Sequence, residues 1–461
     1  MRTGSVLAIV LYAAVLGAFG FRPSGRRGGL EAFFLASRRL GPARVAFSLC
    51  ASWIGAASLL VSTDEASRDG ASAIWIVGVP AVVTLLVLAA LAAPIRSASG
   101  LTLAGLMRDR YGRTAETLTA VLIVWYMTVL AASQMVAAGP FLALFLGTGP
   151  TMGMGLAAAI AVAYSAAGGL QAVARAHVVQ FLLLVAGVAA MAASLASRTS
   201  WSAVAAAAGA AGRTSYFDPL AGGERGLLVA ASFVLAWTIS PIAWQRAQAA
   251  RDLRSARRGL LAAALLLGLF YSGIVAVGML FLPLGLEGAA GVPLVTGFVS
   301  REAGSFLGGL VFVTVLAAIL STMDAALNTG SFTLTGGLIG KKAPKDAPGS
   351  RPVVLARITT IGLAATAFLI AARLGDVLKT LGLASTIMAE GLLVPGLAAL
   401  FLKTRAPLAG LLSLVLGGGY ATAGFLAESG LARIPVPAWP RSLPLGVGLG
   451  AAGFLAGLAF E

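Results

Sequence analysis

Charge is scarce in this sequence. Asp, Glu, Lys and Arg make up 11% of its 461 residues, where a soluble chain carries roughly 25%. Cysteine and histidine are scarcer still, with one of each, Cys50 and His177. A single cysteine excludes an intrachain disulfide, and the two together argue against a zinc site of the Cys/His type. The phosphate-binding pattern G-x-x-x-x-G-K-[ST] is missing, and with it any sign of ATP-driven work. Acids are the rarer sign, 17 against 33 Lys and Arg, for a net charge of +16. Such a balance can point to nucleic acid. Here, however, the basic residues sit in short loops between apolar segments, which is the distribution that orients a chain in a bilayer. No nucleic-acid partner is expected, and a soluble enzyme is effectively excluded.

What the sequence does have is apolar length. It is 59% hydrophobic, and runs long enough to cross about 30 Å of hydrocarbon as helix recur from end to end. About thirteen spans are expected: 4–21, 43–63, 71–95, 115–146, 151–167, 172–196, 226–245, 258–284, 305–336, 352–373, 378–402, 407–427 and 442–460. The first has traits of a signal peptide but reads as a retained span, because Arg22, Arg26 and Arg27 follow it and no good cleavage site does. The fold class is therefore an all-α polytopic membrane protein with the bilayer as its surroundings.

The loops support that number. Loop 22–42 carries Arg22, Arg26, Arg27, Arg38 and Arg39, and loop 96–114 carries Arg96, Arg108, Arg110 and Arg113. Loop 246–258 carries Arg246, Arg251, Arg254, Arg257 and Arg258, and loop 337–351 carries Lys341, Lys342, Lys345 and Arg351, with Lys403 and Arg405 after them. Loop 64–70 is instead acidic, with Asp64, Glu65 and Asp69 against Arg68. With thirteen spans, every strongly basic loop falls on one side if the N-terminus is outside and the C-terminus cytoplasmic. The richness in Ala, Gly, Leu and Arg fits a GC-rich bacterial genome, so the expected location is a bacterial cytoplasmic (inner) membrane.

Three spans have unusual interiors. Span two, ARVAFSLCASWIGAASLLVS, is rich in small residues, which suit either close helix packing or a broken helix whose carbonyls face a cavity. Span nine contains LSTMDAALNT, residues 320–329. At about 100° per residue, Ala318, Ser321, Thr322, Asp324, Ala325, Asn328 and Thr329 share one arc, and Ile319, Leu320, Met323, Ala326 and Leu327 fill the other side. A buried face of Ser, Thr and Asp should meet an ion, a polar solute or a partner chain, although Ser and Thr can also bond back to their own helix. In span seven Pro241 predicts a break near Ser240. Glu390, in span eleven, is the other intramembrane acid.

Six stretches then share a resemblance. FFLASRRLGP, ASWIGAASLL, LTLAGLMRDRYG, AYSAAGGLQAVARAHVVQ (163–180), WQRAQAARDLRSARRG and LSTMDAALNT resemble, in order, motifs of the sodium:solute symporter family. The fourth resembles the family signature at Tyr164, Gly168, Gly169, Leu170, Ala172, Val173 and Gln180. The resemblance implies a LeuT-like core of two inverted five-helix repeats, about 43–196 and 226–402. Residues 1–42 would precede it, 197–225 would be an extracellular loop, and 403–461 would add two C-terminal helices. It implies secondary active transport, not enzymatic chemistry: sodium-coupled symport of a small organic solute by alternating access, with Na+ as the transported co-ion. A monomer is expected to suffice. The family's main sodium site, carried over by motif, is the carbonyls of Ala51 and Ile54, then Ala318 and the hydroxyls of Ser321 and Thr322. Sodium is a hard cation and prefers such oxygens.

Two departures stand out. The signature's Thr-Asp pair is replaced by Ala176-His177, while positions that resemble hydroxyl ligands of a second sodium hold Asp324 and Ala325. One reading pairs His177 with Asp324 in a charge-assisted hydrogen bond where a second sodium would sit, giving one sodium per cycle and a possible proton-sensing role. The other leaves His177 near Arg175 at the cytoplasmic mouth and Asp324 bonded to water. By motif the solute site borders Ser52, Trp53, Ser58, Ser240, Ile242 and Glu390. If Glu390 faces the cavity it favours an amine-bearing solute such as an amino acid; otherwise it is a helix-packing carboxyl. The alternatives are proton-linked or uncoupled transport, or a transporter-like sensor core. The chain's end at Glu461, directly after the last span, speaks against a fused output domain.

Overall fold

The computed structural model describes residues 2–20, 34–98, 102–285, 292–335, 351–402 and 404–461. Arg22, Arg26, Arg27, Lys341, Lys342, Lys345 and Lys403, which the loop argument used, lie outside the described residues. The described chain is helical: α1 (Arg2–Gly20), α2 (Pro42–Trp53), α3 (Ser62–Asp69), α4 (Ile74–Ala90), α5 (Ala92–Ser97), α6 (Leu103–Tyr111), α7 (Arg113–Leu146), α8 (Pro150–Ala196), α9 (Trp201–Ala210) and α10 (Gly223–Thr238). Then follow α11 (Pro241–Ala249), α12 (Leu253–Phe281), α13 (Leu294–Arg301), α14 (Phe306–Phe332), α15 (Arg351–Ala371), α16 (Val377–Gly391), α17 (Leu393–Phe401), α18 (Pro407–Glu428) and α19 (Leu443–Ala459). The one β-type contact among these residues joins Leu40 to Ala250.

Among the described residues, seven helical segments are long and apolar enough to cross a membrane, or nine if each of two bent pairs is one span. Thirteen is not reached by length, because the expected spans are interrupted. α2 stops at Trp53, where Ile54 leaves helical dihedrals (φ −85°, ψ 83°). α8 fuses two expected spans but turns at Gly169 (φ 59°, ψ −163°), a conformation essentially reserved for glycine. α10 and α11 meet at 42° around Ser240 and Pro241, as Pro241 predicts, and α16 and α17 meet at 44°. α1, α19 and the first part of α8 are apolar but short.

Two expected loops are partly helix. The acidic stretch 64–70 is the end of α3, closed by Gly70 at φ 68°. The basic stretch 246–258 begins inside α11 and ends inside α12. Asp252 caps α12, its carboxylate accepting the Ser255 N–H, which holds this carboxyl below its usual range. Arg96, at the end of α5, donates from Nη1 to the carbonyls of Ala247 and Ala250 at 2.7 Å each, closing the end of α11.

The middle of the bundle is built on α14. It packs on α8 and α7, and α2 and α11 also touch it. From Val311 to Phe332 nearly every residue of α14 is buried. α2 packs on α8 and α12, and α1 on α8. The C-terminal pair α18 and α19 packs on itself and on α16. The break in α2 and the polar face of α14 therefore meet near the centre.

Candidate functional site

The first cluster forms where α2 stops. Ser321 Oγ lies 2.8 Å from the Ala51 carbonyl and 3.2 Å from that of Ala318. Thr322 Oγ1, one residue on, is buried and has no hydrogen-bond partner among the described residues. It lies beside the break: a Cβ added at Gly55 would stand 3.0 Å from it. Ile54 is the first non-helical residue. Ser321 thus meets the Ala51 and Ala318 carbonyls, with Thr322 beside the break that begins at Ile54. The spot holds a broken helix end, two neighbouring hydroxyls and a helix carbonyl, a set of neutral oxygens suited to a hard monovalent cation.

A small cavity of about 30 Å³ adjoins this spot, lined by Ser52, Trp53, Ser58, Ser240, Ile242 and Thr322, with Tyr126, Gln134 and Trp237. It has room for one or two waters, so an organic solute requires the walls to move apart. Trp53 and Trp237 face each other with ring centroids 5.2 Å apart. Ser58 Oγ and Tyr271 Oη are 3.1 Å apart. None of the described lining residues is charged.

Glu390 departs from the cavity expectation. Its carboxylate accepts from Ser442 Oγ at 3.3 Å. A Cβ at Gly446 would stand 2.3 Å from its carboxyl carbon, and one at Gly417 would stand 2.0 Å from its carbonyl. The side chain occupies the space left by glycines of α18 and α19, on the face of α16 turned to the C-terminal pair. It is a helix-packing carboxyl, and the cavity contains no acid with which to hold an amine.

The second cluster lies one turn further along α14. His177 Nε2 and Asp324 Oδ1 are 2.9 Å apart, both with 0% side-chain exposure. Tyr164 donates to the other Asp324 oxygen. His177 Nδ1 is 3.1 Å from Ser48 Oγ, which also accepts from Arg246 Nε at 3.4 Å. Arginine only donates. Ser48 Oγ therefore accepts from Arg246, and the direction of its bond with His177 Nδ1 follows the tautomer of the ring.

Arg246 corrects the loop reading. It is fully buried, not in a cytoplasmic loop. α11 carries it inward, and its Nη1 donates to Gln245 Oε1 at 3.0 Å and the Ile242 carbonyl at 3.4 Å. Gln245 in turn accepts from Thr329 Oγ1 at 2.9 Å and donates to the Phe34 carbonyl at 2.8 Å. The second half of LSTMDAALNT is thus tied to α11.

The sodium:solute symporter family model matches residues 33–418. The chain belongs to the sodium:solute symporter family. No curated protein matches its sequence. Among solved structures, a substrate-bound, outward-open Na+-coupled sialic acid symporter aligns with a TM-score of 0.84 at 17% identity, covering 99% of this chain and 98% of that one. Mhp1, a nucleobase-cation-symport-1 family transporter closed on bromovinylhydantoin, aligns with a TM-score of 0.56 at 17% identity over 93% of this chain and 94% of that one. MhsT in complex with L-phenylalanine gives 0.53 at 16% identity over 91% and 99%. These likenesses establish a LeuT-like fold. As a symporter of this family, the protein is a polytopic membrane transporter and not an enzyme. It couples solute movement to sodium, and Na+ is its co-transported ion.

Sequence reasoning singled out Ala51, Ile54, Ala318, Ser321 and Thr322, and the positions His177 and Asp324, by motif. It did not single out Gln134, Tyr126, Tyr164 or Arg246 as site residues. For Arg246 a signal was present: it stands five residues after Pro241, too close to that break to have left the helix that restarts there.

Proposed function

We propose that this symporter binds sodium through the carbonyls of Ala51, Ile54 and Ala318 and the hydroxyls of Ser321 and Thr322, and works by alternating access. The observation that carries this reading is the convergence of Ser321 Oγ on the Ala51 and Ala318 carbonyls at the end of a broken helix. The two repeats are placed at 43–196 and 226–402, each beginning with a broken helix, at Ile54 and at Ser240. Sodium would join the two by bonding to both α2 and α14. The N-terminus is placed outside and the C-terminus in the cytoplasm, in a bacterial inner membrane, with the monomer as the transporting unit.

The solute is read from the cavity walls. Trp53 and Trp237 offer two aromatic faces, and Ser52, Ser58, Ser240 and Gln134 offer neutral polar groups. With Glu390 turned away, a neutral polar solute carrying a flat or apolar face is favoured over an amine. The His177–Asp324 pair supports one sodium per cycle, since its hydrogen bonds fill the place where the family resemblance puts a second. A proton-linked reading rests on the same pair.

Uptake into proteoliposomes tests the proposal. A panel of neutral, amine-bearing and carboxylate solutes is offered with an inward sodium gradient, then with potassium in its place. Uptake should need sodium and should fall by at least tenfold in Ser321→Ala and Thr322→Val. Equal uptake without sodium, or full activity in both variants, would overturn the site.

A further inference from the structure

We infer that Gln134 is a positioning residue for sodium binding, which holds the break of α2 in the shape the ion requires. This rests on the sodium site proposed above.

A helix that restarts after a break exposes its first N–H groups, with no carbonyl of their own to meet. In the membrane interior water does not substitute, and an unpaired donor is costly. Ala56, the first residue after the break, has this problem. Its N–H donates to Gln134 Oε1 of α7 at 2.9 Å. Backbone N–H can only donate, so the amide orientation is chemically fixed: oxygen to Ala56, nitrogen away. The nitrogen donates to Ser133 Oγ at 2.9 Å, and Ser133 Oγ donates to the Leu130 carbonyl at 2.8 Å. Gln134 and Ser133 are both buried. The amide is therefore locked to α7 on one side and to the break on the other.

Gly55 shows how close this arrangement is. A Cβ there would stand 2.8 Å from Gln134 Oε1 and 3.0 Å from Thr322 Oγ1. The Gln134 oxygen and the proposed sodium hydroxyl both crowd the one position where a Gly55 side chain would stand, with Ile54 immediately before it. Moving Gln134 frees the Gly55–Ala56 peptide to turn, and the Ile54 carbonyl can then follow through rotation at Gly55. Gln134 also lines the solute cavity, so one side chain touches both the cavity wall and the support of the ion site.

The test uses purified full-length protein and sodium alone as ligand. The thermal unfolding midpoint is followed against NaCl, with choline chloride holding ionic strength constant. A ligand that binds only the folded state stabilises it by RT ln(1 + c/Kd) at free ligand concentration c, so fitting the rise of the midpoint with NaCl gives the half-saturating concentration. Gln134→Met removes the acceptor and should raise the half-saturating sodium concentration about tenfold, the scale of one lost buried hydrogen bond. Gln134→Glu keeps an oxygen for Ala56 and should stay within about threefold of the parent. Gln134→Ala replaces the Met variant if that one does not fold. A merely structural role would lower the sodium-free midpoint of Gln134→Met and leave half-saturation where it was. That result, or equal loss in Gln134→Met and Gln134→Glu, would overturn the inference. Thr322→Val separates the two levels. If it abolishes the sodium response while Gln134→Met leaves it intact, only the role of Gln134 fails. If the parent shows no response, or Thr322→Val keeps it, the sodium site fails and this inference with it.

Discussion

His177 Nε2 stands 2.9 Å from Asp324 Oδ1, and neither side chain has any exposed surface. A carboxylate with no access to water needs its hydrogen bonds supplied by the protein. Tyr164 supplies one and His177 the other. Both come from α8, while Asp324 is on α14, so the pair fastens two central helices of the bundle together.

Removing one partner should therefore cost more than removing both. His177→Ala leaves a buried carboxylate short of a donor and should destabilise by about 3–5 kcal/mol. Combining it with Asp324→Ala should recover only part of that loss, because the stranded carboxylate is gone but the buried Arg246 loses the charge it faces. Thermal unfolding in detergent compares the three variants with the parent. Unchanged stability in His177→Ala would mean that the hydrogen bond does not hold the helices.

Arg246 makes a second, independent case. Its guanidinium uses Nε toward Ser48 and Nη1 toward Gln245 and the Ile242 carbonyl. Lysine brings one point-like group and cannot span these acceptors. Arg246→Lys should fail to restore function: initial sodium-driven uptake should fall about tenfold or more, close to Arg246→Met. Uptake in Arg246→Lys within about twofold of the parent would show that charge alone suffices there.

These two residues also mark the limit of sequence reading. The break at Ser240 was legible, because Pro241 disturbs a helix by a known local rule, while the small residues around Gly55 suited packing as well as a break and only the family resemblance pointed to one. Ser321, Thr322 and Asp324 were legible too, since they share an arc at helical spacing. Span counting was less secure. It assumes that spans and continuous helices coincide, and α2, α8, α10–α11 and α16–α17 are interrupted. Arg246 was missed although its spacing from Pro241 keeps it on the helix that restarts there, whereas Gln134 was out of reach, because its role comes from Ala56, 78 positions away in the chain. Glu390 had two readings that no local pattern separates; its place against the glycines of α18 and α19 favours the packing one.

The turn inside α8 gives a third prediction. Gly169 has φ 59° and ψ −163°, where any side chain is strained by about 1–3 kcal/mol. Gly169→Ala should lower the unfolding midpoint. Gly209, on the short helix α9, has open space where a Cβ would go. Gly209→Ala should leave the midpoint unchanged or slightly raised. Equal behaviour of the two variants would show that the turn in α8 is not fixed by its glycine.

Glu390 gives the sharpest test of what the cavity accepts. An amine-binding carboxylate would lose its solute on conversion to an amide, since the charge attraction is the recognition. A packing carboxyl would not, because glutamine fills the same space beside Gly446 and still meets Ser442. Glu390→Gln should therefore leave the KM for the transported solute within about twofold of the parent, a change worth less than about 0.5 kcal/mol. Gly446→Ala should do the opposite. Its Cβ would lie 2.3 Å from the Glu390 carboxyl carbon, forcing α16 and α19 apart and lowering stability by about 1–3 kcal/mol through overpacking. The double variant Gly446→Ala with Glu390→Ala should recover stability, since the smaller side chain vacates the space. If Glu390→Gln instead raises KM tenfold or more while stability holds, the carboxylate reaches the solute during the cycle, and the amine-bearing class returns to first place.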